Sequence, residues 1–285
     1  MNEPSKEMLD MYELAHQYEL EGDSYHAIKL YKRIIRECKE WAPPFVRLGL
    51  MYKYRRDWKA CLYYNKKAVS LEVDNRESWW SLAIAATALQ KTRLNHTVWS
   101  KFGYSAKNQS FPPIVSVRLL YEQQMELIGV AANSPASGYI TSIPHPNAPY
   151  RYRDLILFDN ALRGYHHGTD NKRYPIYDDL GLLKRAYYQT FSCQLSSCAE
   201  EVLRTLEQLC QDNELGFEVW SAASQAFSRI SSTRLPEYFS FPKLDHGAVL
   251  VALAAKADQE VLHVLNAWQV ITLETYFDLV AYTNG

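Results

Sequence analysis

The sequence predicts a multidomain chain, an α-helical solenoid of stacked hairpins followed by an α+β half. Three observations predict it. A pattern of small and bulky side chains recurs at a fixed interval through roughly the first hundred residues. Around Gln109–Pro113 that pattern gives way to Pro, Ser and Gly punctuation. Beyond it, β-branched and aromatic runs alternate with turn residues. The chain therefore divides into a helical array over 1–110, a β-rich connecting subdomain over 111–188 and an α+β domain over 189–285.

The array comes first. Met11, Leu14, Ala15, Tyr18, Ala27, Tyr31 and Ile34 recur about 34 residues along as Phe45, Leu48, Gly49, Tyr52, Cys61, Asn65 and Ala68. A further step brings Trp79, Leu82, Ala83 and Ala86, after which the pattern decays through Asn95, Trp99 and Phe102. Small residues at Ala15, Ala27, Gly49, Cys61, Ala68 and Ala83 let paired helices approach closely, while Leu and aromatic residues fill the space between pairs. Glu21-Gly22-Asp23 and Arg55-Arg56-Asp57 sit at the corner within a pair, with the Asp available as an N-cap. Pro43-Pro44 and Asp74-Asn75 mark the corners between pairs.

These residues resemble the tetratricopeptide repeat (TPR) family, whose mark is W-x2-L-G-x2-Y followed by a small residue and an aromatic on the second helix. The run from Trp79 to Leu89 is similar to the last repeat of a group of bacterial proteins that join such a front half to a small mixed back half. Asn65 departs from the pattern by replacing the second-helix aromatic, and the third repeat's second helix fits poorly, which leaves about two and a half repeats. An array that short needs its open end covered, and the rest of the chain is the obvious candidate.

The resemblance implies a concave groove lined by the first helix of each pair: Leu9, Tyr12 and His16, then Val46, Leu50 and Tyr54, then Trp80, Ile84 and Thr87. That surface is apolar and aromatic, suited to a partner's helix or loop, or to the protein's own back half. Relatives that clamp acidic chaperone tails need cations there, because a buried carboxylate must be charge-paired. The matching positions, Tyr12, His16, Arg47, Glu77 and Ser81, offer one cation and even an acid, which argues against that role. A basic cluster, Arg47, Lys53, Arg55, Arg56, Lys59, Lys66 and Lys67, reads either as a solvated convex surface or as a landing patch for an acidic protein surface. Residues 198–218 lean acidic, with Arg204 the lone cation.

In the back half, residues 114–130 fit a strand or a helix equally well. Gly138–Ile143, Arg151–Phe158 and Tyr174–Tyr177 read as strands, with Asp159-Asn160 and Gly168–Asn171 as turns. Thr190–Leu195 reads as strand, Ala199–Gln211 as helix capped by Ser196 or Ser197, and Phe217–Trp220 as strand. The order then repeats: Ala248–Ala254 as strand, Asp258–Trp268 as helix capped by Asp258, and Val270–Tyr282 as strand. Two such strand-helix-strand units suggest a ferredoxin-like sandwich. Ser221–Pro242 between them reads as a long connection.

Composition limits the function. With 31 basic against 32 acidic residues and a net charge of −1, no global field recruits nucleic acid or a membrane surface. The five cysteines include no C-x-x-C pair, which argues against both a zinc site and a disulfide framework and suggests reduced thiols in a cytoplasmic protein. The start carries no signal-peptide pattern, and no run approaches the roughly 18 apolar residues that cross a bilayer. The tempting chemistry is His166-His167-Gly168-Thr169-Asp170 with Asp178-Asp179 after it. Neighbouring residues on a strand point to opposite sides, so both histidines cannot face one metal, and the stretch reads better as a hairpin tip. Cys198 precedes a helix, yet Glu200 and Glu201 beside it work against a thiolate. Neither G-x-S-x-G nor a phosphate-binding glycine loop occurs.

The expectation is therefore a non-catalytic protein with no cofactor and no metal, holding one protein partner. Immunity or antitoxin-type neutralisation of a toxin or effector is its most concrete form, and an adaptor the next. Two other readings stay open. One is an enzyme with a site around His166, His167, Asp170 and Asp178. The other is a peptide-binding scaffold that anchors its ligand in the groove on Tyr12 and Trp80.

Overall fold

The computed structural model describes residues 4–104, 111–122, 124–167, 172–221 and 249–282. The chain separates into two compact units, Met1–Phe111 and Pro112–Gly285. It is an α+β protein with six helices in the first unit and the strands in the second.

Those six helices are α1 (Lys6–Leu20), α2 (Ser24–Glu37), α3 (Ala42–Tyr54), α4 (Trp58–Leu71), α5 (Arg76–Ala88) and α6 (Thr92–Ser100). Their starts are set by short polar side chains that accept otherwise unpaired backbone N–H groups. Ser5 accepts from Met8 at 3.4 Å, Asp23 from His26 at 3.1 Å, Asp57 from Ala60 at 3.1 Å and Asn75 from Ser78 at 2.9 Å. In α3 the first turn holds Pro43 and Pro44, where a missing N–H costs nothing. Links this short force successive helices to run antiparallel.

Buried small residues and large ones alternate through the stack: Ala15, Ala27, Tyr31, Ile34, Leu48 and Cys61 are wholly enclosed. Gly49 and Asn65 explain each other. A Cβ on Gly49 would lie 2.5 Å from the Asn65 amide nitrogen, so the two helices meet there only because one side chain is absent. Asn65 turns its Nδ2 to the Cys61 carbonyl at 2.8 Å, which satisfies a polar group in the core. The third pair is also more complete than the sequence pattern implies. Short α6 packs on α5 through Trp99, whose indole donates to Thr87 Oγ1 at 3.0 Å.

Residues 114–130, ambiguous by sequence, are two strands. β1 (Ile114–Tyr121), β2 (Gln124–Ser134), β3 (Ser137–Ile140), β4 (Leu155–His167) and β5 (Arg173–Lys184) form a closed barrel. Neighbours along the chain pair antiparallel, and closure brings β5 beside β1 in parallel, Val117 opposite Tyr177. An odd number of alternating strands must close that way. The expected turn at Asp159-Asn160 lies inside β4, where pairing with β5 breaks register between Asp159 and Gly164. Two strands are longer than their hydrophobic runs suggest, because barrel pairing carries them past the apolar stretch. The expected turn at Gly168–Asn171 lies outside the described residues. Inward side chains from Val115, Val117, Ile128, Val130, Ile140, Ile156 and Phe158 fill the interior.

The remaining elements are β6 (Gln189–Leu195), α7 (Glu200–Asp212), β7 (Gly216–Val219), β8 (Val249–Ala255), α8 (Asp258–Thr272) and β9 (Tyr276–Tyr282). The strands form one antiparallel sheet in the order β7-β8-β6-β9. β8 is buried throughout. One side of it, with Val251 and Leu253, joins α7 and α8 residues such as Leu206, Leu265 and Trp268. The other, with Leu250, Ala252 and Ala254, meets Ile143, Tyr188 and Trp220 beside the barrel. A strand covered on both faces loses the alternating pattern, hence the unbroken run Val249–Ala255.

Three expectations are corrected here. Neither Ser196 nor Ser197 caps α7: the N-cap is Ala199, with the Ser197 hydroxyl accepting from its N–H at 3.3 Å. Asp258 is not the cap of α8 either. Glu260 reaches back instead, accepting from the N–H groups of Lys256 at 2.9 Å and Ala257 at 3.2 Å. Val270–Thr272 belongs to α8, which ends at Leu273 in the left-handed region, φ 61°. The expected connection at Ser221–Pro242 lies, after Ser221, outside the described residues.

Candidate functional site

The proposed groove residues divide by burial. Leu9 and Tyr54 are exposed, and Tyr12, His16, Leu50 and Trp80 are half-buried. Val46 and Ile84 are buried, at 8% and 0% exposure. Those two are corrected from surface to core: β-branched side chains at these positions fill the packing between helices and offer nothing to a partner. Thr87 is likewise enclosed, held to Trp99. Tyr12 stands between Tyr31 and Trp41, with ring centroids 5.4 and 5.1 Å away. Burial pushes its hydroxyl pKa up, and Arg47 opposes the shift. Trp80 packs edge-on against Trp99 and Phe102 at 5.5 and 5.0 Å.

The basic cluster is not one patch. Arg47 makes a bidentate pair with Glu19, Nε to Oε2 at 3.0 Å and Nη2 to Oε1 at 2.5 Å, and Tyr31 donates to the same carboxylate at 3.2 Å. Burial works against the Arg47 charge, but the Glu19 pair more than offsets it, and its pKa rises. Lys53 is 4% exposed, with Nζ 5.3 Å from the Tyr54 ring centre. Arg55 lies over Tyr52 at 5.8 Å. Arg56 and Lys59 are exposed. Lys66 and Lys67 are exposed as well. Helical spacing scatters the seven cations, and two of them, Arg47 and Lys53, are consumed inside the stack.

Among the described residues the histidine cluster does not assemble. His166 sits on β4 with Nδ1 3.4 Å from the Ser116 hydroxyl, and burial lowers its pKa. His167, its neighbour on the strand, is exposed, and Asp170 lies outside the described residues. Asp178 is taken by two guanidinium groups, accepting from Arg118 at 2.6 Å and from Arg163 at 2.6 Å. Among the described residues no group of three or more His, Cys, Asp or Glu is arranged to hold a metal ion. Burial pushes the thiols of Cys61, Cys193 and Cys210 up to about 12, which keeps them protonated and unreactive.

What gathers where the barrel meets the sheet carries no local signal in the residues. Segment 143–145 is pinned by two carboxylates: the Ile143 N–H donates to Glu218 at 2.6 Å and the His145 N–H to Glu126 at 3.0 Å. Tyr121 donates to the other Glu126 oxygen at 2.7 Å. Burial raises both carboxyl pKa values, that of Glu218 to about 7. The ring of His145 stacks on Trp220 at 6.5 Å, and burial lowers its pKa. Glu126 and Glu218 carry no mark in the sequence because the backbone amides they hold, those of His145 and Ile143, lie 19 and 75 residues further along or back in the chain.

The fold defines an α+β protein whose amino-terminal unit is six packed helices. No protein-family model matches the chain, and no curated protein matches it. Among solved structures it is similar to a hypothetical protein from Neisseria gonorrhoeae, titled a novel crystal structure, at 12% identity and a TM-score of 0.25, with 59% of this chain and 93% of that one covered. No helix among the described residues is long and apolar enough to cross a membrane.

Proposed function

We propose that the chain is a non-catalytic cytoplasmic protein whose amino-terminal helices form a TPR-type array that holds one protein partner, with immunity or antitoxin-type neutralisation as its most concrete role. The observation that carries this reading is chemical. The first helices expose Leu9 and Tyr54 and half-expose Tyr12, Leu50 and Trp80, while Arg47 and Lys53 are engaged within the stack. Such a surface offers stiff aromatic area at low entropic cost and little charge to desolvate. The interval of about 34 residues and the repeated Asp caps support the TPR assignment. The sheet order with two helices on one side supports a ferredoxin-like reading of the last hundred or so residues.

The experiment is a reconstitution. The partner captured from the native host is purified and titrated against the wild-type chain and against a Leu9→Ser, Tyr54→Ala variant. A one-to-one complex weakened at least about tenfold by the variant supports the reading. Equal affinity for both chains rejects the proposed face.

A further inference from the structure

In the second unit a cleft of about 540 Å³ opens where the barrel meets the sheet. Its size falls within the range of small-ligand sites, roughly 300 to 1,000 Å³. Three cations line it, Arg153, Lys184 and Arg185, against one acid, Glu214. Three tyrosines complete the wall: Tyr139, Tyr152 and Tyr188.

The cleft is braced from behind by Asp154, which is fully buried. Its carboxylate accepts from the N–H of Arg151 at 2.9 Å, from the N–H of Ala186 at 2.8 Å and from Arg185 Nη1 at 3.1 Å. One buried charge thereby fixes both rims, the turn at 150–154 and the strand exit at 185–186. Arg153 stands in the left-handed region at φ 65°, a conformation that carries strain for a side chain of this kind. Its guanidinium lies 5.3 Å from the Tyr152 ring centre. Tyr152 and Tyr188 meet edge to face at 5.2 Å, and Tyr188 donates to the Glu214 carbonyl at 3.1 Å. Gly216 makes room for this wall, since a Cβ there would approach the Tyr152 ring to 3.1 Å.

Arg185 is tied to Asp154, but neither Arg153 nor Lys184 meets a carboxylate among the described residues. Two uncompensated cations over a cavity select an anion. Tyr139, the exposed ring of the wall at 41%, offers a face beside them that favours a planar, π-bearing group over a bare ion, with Tyr152 and Tyr188 packed behind it. From this we propose that the cleft binds a nucleoside phosphate, with Arg153 and Lys184 holding the phosphate and the tyrosine wall holding the base. This site is independent of partner binding by the helices, so either assignment can fail alone.

The test uses the full chain at low ionic strength, titrated calorimetrically with AMP, GMP, UMP and inorganic pyrophosphate in separate runs. The expected result is saturable one-to-one binding of at least one mononucleotide, tighter than pyrophosphate. Lys184→Ala and Arg153→Ala each weaken it at least about tenfold, as the loss of a charge-assisted contact requires. Tyr139→Ala, at a 41% exposed position, removes the preference over pyrophosphate. Absence of saturable binding by all four probes overturns the proposal. So does pyrophosphate binding as tightly as the nucleotides, or unchanged affinity in both cation variants with native circular dichroism.

Discussion

At the residue scale, Gly49 and Asn65 are the sharpest test of how the helices pack. A methyl group on Gly49 collides with an amide that is 1% exposed and has nowhere to retreat. Overpacking of this kind costs about 1–3 kcal/mol, while Ala in a helix interior gains about 1 kcal/mol over Gly. The collision should win in Gly49→Ala alone. With Asn65→Ala added, the clash disappears and the helix gain remains, so a double-mutant cycle by chemical denaturation should show recovery toward wild type. Additive losses would contradict the close approach. The Glu19, Arg47 and Tyr31 trio gives a second measurement. Arg47→Ala strands a 17% exposed carboxylate side chain and should cost roughly 1–3 kcal/mol, with Glu19→Gln in the same background returning part of it.

The same residues show what the sequence could disclose. Asn65 reads as a defect in the repeat, because the pattern asks for an aromatic there. Its compensation is Gly49 on the preceding helix, together with the Cys61 carbonyl one turn back. Val46 and Ile84 lie in the core and not on the groove for a related reason: the repeat fixes the direction in which a side chain points, but whether that direction ends in solvent depends on neighbours the interval does not encode.

At the scale of elements, the first helices are legible because caps and small residues are local signals: Asp23 and Asp57 cap the helices that their positions imply, and Asn75, expected only as a corner, caps α5. In the second unit the same signals mislead, since neither Ser196 nor Ser197 caps α7 and Asp258 does not cap α8. Strands joined by distant pairing are not legible. β1 and β2 carry Val and Ile beside Gln, Met and Glu, and only barrel closure decides their state. Gly138 shows how tightly that closure is drawn: a Cβ there would lie 2.5 Å from the Ala131 carbonyl oxygen and 2.9 Å from Ala132 Cα. Both are backbone atoms, which give way far less than a side chain does. Gly138→Ala should therefore part β2 from β3 and cost roughly 2 kcal/mol or more. Amide exchange across Val130–Ala132 should quicken while exchange in the helical unit stays unchanged; a uniform change throughout the chain would refute this placement of the strain.

At the scale of the whole molecule, acidity should act on the second unit in an unusual direction. Burial raises Glu218 to about 7, and the nearby Glu126 charge adds to the rise. The folded state then binds a proton that the unfolded chain releases near pH 4.5, so this group favours folding below that value and loses its contribution as pH climbs through about 7. Glu126 shifts in the same direction. Stability of the second unit should increase by up to about 3 kcal/mol on going from pH 8 to pH 5, the reverse of a paired surface carboxylate. Glu218→Gln should remove the larger share of that slope, leaving the part due to Glu126, and stabilise the unit at pH 8. Chemical denaturation across this range checks both, and a profile unaltered by the substitution would show that Glu218 ionises normally.

Partner binding is the central claim, and one paired titration tests it most directly. The purified host partner is measured by calorimetry against the wild-type chain and against the Leu9→Ser, Tyr54→Ala chain, with matched circular dichroism. The predicted result is a single one-to-one complex whose affinity falls at least about tenfold in the variant. Identical isotherms for the two folded chains would contradict it.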